Sequence, residues 1–303
     1  MPRFAKLAVA TVAATLLLIA VGGFVRAMEA GLGCPDWPTC HGSLNPPSEL
    51  AWGDLKLAWI EHSHRLIASV VVALVIALAV AARGRARPVR IAAWLLVPAV
   101  RSQALRGAIV VWLTLEAESV TLHLGGALVV LALGLYVVVR TLRPETVPVP
   151  ARLAGLVRLT AAVAFGQMLL GSSVTGHHAG LAFTTFPSFD GHALPPLEAH
   201  LAPWLHAAHR FVAYLLAVLA VLVVVRARRT ELAATAYLLA GLVAVQIGLG
   251  AANVWFELSA WSVVPHLAVG SWIWATLVVL GIRTSAQPAG ATERIRWLGL
   301  APA

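Results

Sequence analysis

Eight apolar runs, each long enough to cross a bilayer as a helix, leave this chain little freedom in what it can fold into. They read Leu7–Phe24, Leu66–Ala82, Ile91–Trp112, Val120–Val139, Leu153–Val174, Trp204–Val225, Leu232–Val254 and Trp261–Ile282, and a spanning helix needs about 17–25 such residues. Inside lipid no water bonds the backbone, so each run has to satisfy its own N–H and C=O groups as a helix. With 60% hydrophobic and 12% charged residues over 303 positions, the chain is too apolar for a soluble domain and too long for a single anchor. The expected fold class is all-α: a polytopic membrane protein of eight transmembrane helices.

A formal net charge of +9 would suit nucleic acid, but its placement argues for membrane topology instead. Basic residues gather in alternate gaps: Arg3 and Lys6, then Arg83 to Arg90, then Arg140, Arg143 and Arg152, then Arg226 to Arg229, then Arg283, Arg294 and Arg296. The other gaps carry acids, among them Glu29, Asp36, Glu49, Asp54, Glu116, Glu118, Asp190, Glu198 and Glu257, with Lys56 the exception. The positive-inside rule then places both termini in the cytoplasm and the acidic gaps outside a cell membrane, with lipid rather than nucleic acid as the surrounding partner. The basic, then apolar, first thirty residues have the look of a secretory signal. A repeat partner in mid-chain argues that they are a retained helix.

That repeat is direct. GGFVRAMEAGLGCPDWPTCHG from Gly22 aligns without a gap on GSSVTGHHAGLAFTTFPSFDG from Gly171. Trp59-Ile60-Glu61-His62-Ser63-His64-Arg65 has its counterpart in Trp204-Leu205-His206-Ala207-Ala208-His209-Arg210. Gln103, Gly107, Val111, Trp112 and His123 match Gln246, Gly250, Val254, Trp255 and His266 at one constant offset. Four helices is an even number, so both units enter the membrane alike. The expectation is two tandem, pseudo-symmetric four-helix bundles related by an axis along the membrane normal, residues 1–145 and 146–303. Parallel repeats also occur in transporters, so duplication alone selects no function.

Four histidines recur in register, His64 with His123 and His209 with His266, all near the outer ends of even-numbered helices. Imidazoles from two helices at matched depth are the arrangement that clamps a haem iron within a bundle. A lone histidine in a membrane more often bonds a neighbouring helix; two repeated pairs favour ligands, because polar groups at membrane depth are costly to keep. Zinc and copper sites draw three or four ligands from near neighbours, often with Cys or carboxylate, whereas each half offers two well-separated histidines and Cys34 and Cys40 have no counterparts in the second half. Glu61, one helical turn before His64, has His206 in its place in the second half. Oxidation of a bound substrate needs a group that manages protons, whereas electron transfer does not, so the chemistry is assigned to the first half and electron transfer to the second. The competing account of Glu61 is an interfacial acid at a helix N-terminus. Cys34 and Cys40, the only cysteines, fall in the first outer loop, where a disulfide is permitted and a pair of free thiols is the alternative.

Gly-Leu-Gly-Cys-Pro-Asp-Trp-Pro-x-Cys from Gly31, Glu61-x-x-His64-Arg65, His123, His209-Arg210 and His266 together resemble the haem A synthase family over essentially the whole chain. The resemblance implies an oxidoreductase that converts the C8 methyl of haem O to a formyl group, by successive hydroxylation and loss of water, to supply haem A to terminal oxidases. It implies His209 and His266 as iron ligands of a resident haem b, His64 and His123 as the pair framing haem O, Glu61 as the essential carboxylate, and a Cys34–Cys40 disulfide. Haem O synthase is the implied donor, the electron partner is unnamed, and a homo-oligomer is compatible with the sequence. Phe183 and Phe189 stand where a second cysteine pair would fall, which departs from a full duplication. Arg65 and Arg210, next to the ligands, are candidates for haem propionates, with snorkelling to the interface as the competing reading. Arg101 and Arg106 in the third helix are not explained by the resemblance: a water pocket beside Pro98 and a propionate contact are the alternatives. His62, His177, His178, His192 and His200 are read as loop or interface residues. The rival functions are a di-haem b-type cytochrome that only passes electrons, and a transporter.

Overall fold

The computed structural model describes residues 1–195 and 200–287. Glu198, Arg294 and Arg296, counted above among the charged gaps, lie outside the described residues. Among those described, the apolar runs form eight helices: α1 (Arg3–Ala27), α2 (Trp52–Ala81), α3 (Arg87–Trp112), α4 (Ala117–Leu142), α5 (Ala151–Gly176), α6 (Leu201–Ala227), α7 (Ala233–Trp255) and α8 (Ala260–Arg283). All are long and apolar enough to cross a membrane, and the chain is a multi-pass membrane protein. Strand β1 (Val147–Pro150), after α4, pairs in parallel with β2 (Thr284–Gln287), after α8.

Within each half the helices pack in a ring, α1 on α2, α2 on α3, α3 on α4 and α4 back on α1, and likewise α5 through α8. The halves meet through α1 on α8, α4 on α5 and α4 on α8, the pattern a two-fold relation between tandem bundles requires. Lipid is as apolar as leucine, so packing and hydrogen bonds rather than water exclusion hold this seam. Val12, Ile19, Leu131, Leu135 and Ala275 fill it, Trp274 Nε1 donates to the Leu128 carbonyl at 2.9 Å, and Thr121 Oγ1 donates to Ser172 Oγ at 3.0 Å.

One end of the bundle carries the two long loops, residues 28–51 and 177–200. Helices α1, α3, α5 and α7 all stop at this loop end in the same way. A non-glycine residue turns left-handed, Glu29, Thr114, His178 and Glu257 with φ of 50–54°, and a backbone N–H closes back five residues, as in Ala30 to Val25 at 2.9 Å and Ala179 to Val174 at 2.8 Å. This is the Schellman closure of a helix end. The apolar cores lie toward the opposite end: Val71, Val75, Leu78, Leu96 and Val137 in the first half, and Leu153, Val157, Leu216, Val223, Leu239, Leu277 and Leu280 in the second. The loop-end half of each ring is left to the polar residues.

The sequence expectation for α2 is short by four turns. The helix starts at Trp52 rather than Leu66, because residues 52–65 are polar on one side and fail any hydropathy criterion while still forming helix. Asp54 in the first turn favours that start.

Candidate functional site

Glu61 lies nine residues beyond Trp52, well inside α2, and is 4% exposed. It is therefore not the interfacial acid of a helix N-terminus. Its two carboxylate oxygens are clamped separately: Oε2 accepts the Cys34 backbone N–H at 2.8 Å, and Oε1 accepts Arg65 Nη2 at 2.5 Å. Arg65 also donates from Nη1 to the carbonyls of Asp36 at 2.8 Å and Thr39 at 2.7 Å, and from Nη2 to that of Cys34 at 3.0 Å. One residue thus ties the first loop down onto α2 and holds Glu61 in one orientation. A disulfide closes that loop between Cys34 and Cys40, which settles the free-thiol alternative. Asp36 completes it, accepting from the backbone N–H of His41 at 2.6 Å and Gly42 at 2.9 Å and from the Thr39 hydroxyl. Burial pushes the Asp36 carboxyl up, and the Thr39, Gly42 and His41 bonds together outweigh it and hold the group below the usual carboxylate range.

The second half rebuilds this arrangement with different chemistry. His206 takes the place of Glu61 and faces the two corresponding donors, the Phe183 N–H 3.4 Å from Nδ1 and Arg210 Nε 3.1 Å from Nε2. A neutral imidazole accepts at only one nitrogen, so His206 satisfies one donor where Glu61 satisfies two, and it brings no negative charge to Arg210. Arg210 bonds the second loop at Ser188 O (2.8 Å) and Phe183 O (3.4 Å). In place of the disulfide, Phe183 and Phe189 stack edge to face at 4.9 Å, with the Arg210 guanidinium over both rings at 5.8 and 5.2 Å. The propionate role expected of Arg65 and Arg210 competes with these bonds, because their Nη donors are already committed to loop carbonyls.

Below the loops stand the four histidines. Each ring packs on a glycine of a neighbouring helix, in a cradle that a Cβ would fill: His64 Cε1 is 3.2 Å from that point at Gly22 on α1 and His209 Cε1 2.9 Å at Gly171 on α5, while His123 and His266 sit 3.4 Å from Gly107 and Gly250. All four Nδ1 atoms are buried without a hydrogen-bond partner, an expensive condition unless the rings serve something else. The His209 and His266 ring centroids are 6.3 Å apart. Two imidazoles sharing one iron, at bonds of about 2.0 Å and roughly 1.1 Å from nitrogen to ring centre, would stand about 6.2 Å apart. The pair fits a bis-imidazole iron.

Gln103 and Gln167 fix the backbone here, each donating from Nε2 at 2.8 Å to a histidine carbonyl, Gln103 to His123 and Gln167 to His209. Gln103 shows in the sequence as a repeat match with Gln246. Gln167 has no counterpart and gave no signal. His62, read from the sequence as an interface residue, is buried with Nε2 unpaired and stacks edge to face on Trp59.

Residues 5–278 match the model of the family COX15-CtaA, cytochrome oxidase assembly protein. The chain is similar to proteins named Heme A synthase. The one from Shewanella oneidensis is 29% identical over 308 residues, spanning 89% of this chain and 93% of that protein. Those of Azorhizobium caulinodans and Bradyrhizobium diazoefficiens are 31% identical over 351 residues (96% of each chain) and 27% identical over 328 residues (91% and 90%).

Proposed function

The chain belongs to the COX15-CtaA family of cytochrome oxidase assembly proteins, and from that premise we propose that it is a haem A synthase, a membrane oxidoreductase converting haem O to haem A. The C8 methyl of haem O is oxidised to a formyl group by two successive hydroxylations and loss of water. The observation that carries the division of labour is the exchange of Glu61 for His206 at matched positions of the two halves. Residues 1–145 hold the substrate and residues 146–303 a haem b.

In this reading His209 and His266 are the axial ligands of haem b, a fit supported by their 6.3 Å spacing. Haem b supplies a one-electron carrier there. His64 and His123 frame haem O and hold its edge beneath the first loop. Glu61, one turn from His64 on the same helical face, takes and returns protons at its carboxylate oxygens. Arg65 and the Cys34 N–H keep it oriented, and the disulfide-closed loop roofs the site against water. The clustering of Arg83 to Arg90, Arg140 to Arg152 and Arg226 to Arg229 away from the loops supports an orientation with the loop end outside and both termini in the cytoplasm. Haem O reaches the first half from a haem O synthase.

The test is mass analysis of haems extracted from a host lacking its own haem A pathway, co-expressing a haem O synthase with this chain or its Glu61→Gln variant. Haem A or its hydroxylated precursor is expected with the wild type, and unchanged haem O with the variant. Haem b and unaltered haem O alone from an expressed, haem-loaded wild type would leave an electron-transfer cytochrome in place of a synthase.

A further inference from the structure

The loop-end half of α3 carries two arginines, Arg101 and Arg106, and neither the fold nor the proposed chemistry uses Arg106. Its Nη1 lies over Gly126 of α4, 2.2 Å from where a Cβ at that glycine would be, with Gln103 Oε1 equally close to the same point. Nη1 and Gln103 Oε1 are 3.5 Å apart, and the other end of that amide holds the His123 carbonyl. The guanidinium therefore belongs to the wall of the His64–His123 site.

Three features separate this from an arginine reaching for the interface. Arg106 stands six residues before the loop end of α3, a depth of roughly 9 Å, whereas Gly126 stands nine residues into α4, roughly 13 Å deep. The side chain thus leans inward, opposite to snorkelling. Among the described residues no carboxylate pairs with it. At the constant offset that matches His123 with His266, Arg106 and Gly126 correspond to Leu249 and Val269. The first half carries a cation and the glycine that makes room for it, where the second carries two apolar residues.

Resting on the reading that the first half binds haem O, we propose that Arg106, in the niche left by Gly126 and steadied by Gln103, binds a propionate carboxylate of the substrate. On the porphyrin edge the C8 methyl neighbours a propionate-bearing carbon, so a cation that fixes this propionate also fixes which methyl is presented to the site. Guanidinium and carboxylate match in geometry as well as charge. Arg106 is then a positioning residue that gives the two halves different preferences: the first for a propionate at this wall, the second for an apolar edge.

The experiment is a titration of the purified holoprotein, carrying its haem b, with haem O and with haem O dimethyl ester, followed by absorbance. Wild type should bind the free acid about tenfold or more tightly than the ester, the scale of a lost charge-assisted hydrogen bond. Arg106→Leu, and Arg106→Leu with Gly126→Val, which installs the second half's own pair, should bind both forms alike and as weakly as wild type binds the ester. Arg106→Lys should recover part of the preference. Unchanged haem b content checks that the variants fold. Equal binding of acid and ester by wild type, or undiminished acid binding by Arg106→Leu, overturns the proposal. So does a result in which Arg106→Leu alters only retention of phosphatidylglycerol, which would make the cation a lipid anchor. Failure of wild type to bind either form, with haem b retained, overturns the first-half substrate reading and this proposal together.

Discussion

Glu61 and His206 occupy one position in two copies of one site, and the difference between them is a difference in hydrogen-bond capacity as well as charge. The carboxylate takes the loop N–H on one oxygen and the arginine on the other; the imidazole accepts only one of the corresponding donors. Glu61 is thus a structural joint as well as the proton-handling group proposed above. Glu61→Ala strands a buried N–H and an arginine, at a cost of about 1–3 kcal/mol; Glu61→Gln keeps one acceptor and should lose about half as much. Thermal unfolding of the two variants should rank them in that order below wild type. Equal destabilisation would mean that the loop does not depend on this carboxylate. The repeat alignment makes the Glu61/His206 exchange visible from the sequence. The bonds that give it meaning are not, because they run to backbone atoms of a loop whose path no periodicity records.

At the scale of elements, the helices were legible wherever hydropathy alone defines them, and seven of the eight expected spans match the observed helices to within a few residues at each end. The exception, α2, extends four turns past its apolar run because helical hydrogen bonding does not require apolar side chains. That extension matters, since it carries Glu61, His64 and Arg65. The glycine cradles were half legible: Gly22 and Gly171 open the aligned repeat, but that they face His64 and His209 is a matter of how α1 meets α2 and α5 meets α6. Gly171→Val would place its Cβ 2.9 Å from His209 Cε1 before the rest of the side chain is added, and overpacking of this kind costs about 1–3 kcal/mol. Haem b content by pyridine haemochrome should fall in Gly171→Val and stay at the wild-type level in Gly22→Val, which instead weakens haem O binding. Loss of haem b from both, or from neither, would contradict the assignment of α5–α6 to the haem b pocket.

For the whole molecule, duplication supplies two histidine sites of one design, and the proposed function gives them different tasks. The backbone is repeated closely, down to the left-handed residues that end α1, α3, α5 and α7. The side chains diverge at a few places near the paired histidines: Glu61 against His206, the Cys34–Cys40 disulfide against the Phe183–Phe189 stack, Arg106 with Gly126 against Leu249 with Val269. The account's central claim is that these differences make the halves unequal. The most direct measurement is the haem content per chain of wild type, His64→Ala and His209→Ala purified from a host that makes haem O. One haem b with haem O or haem A in wild type, haem b alone in His64→Ala, and loss of haem b in His209→Ala is the predicted result. Two haem b per wild-type chain, with each variant losing one, would contradict it and make the protein a symmetric di-haem cytochrome.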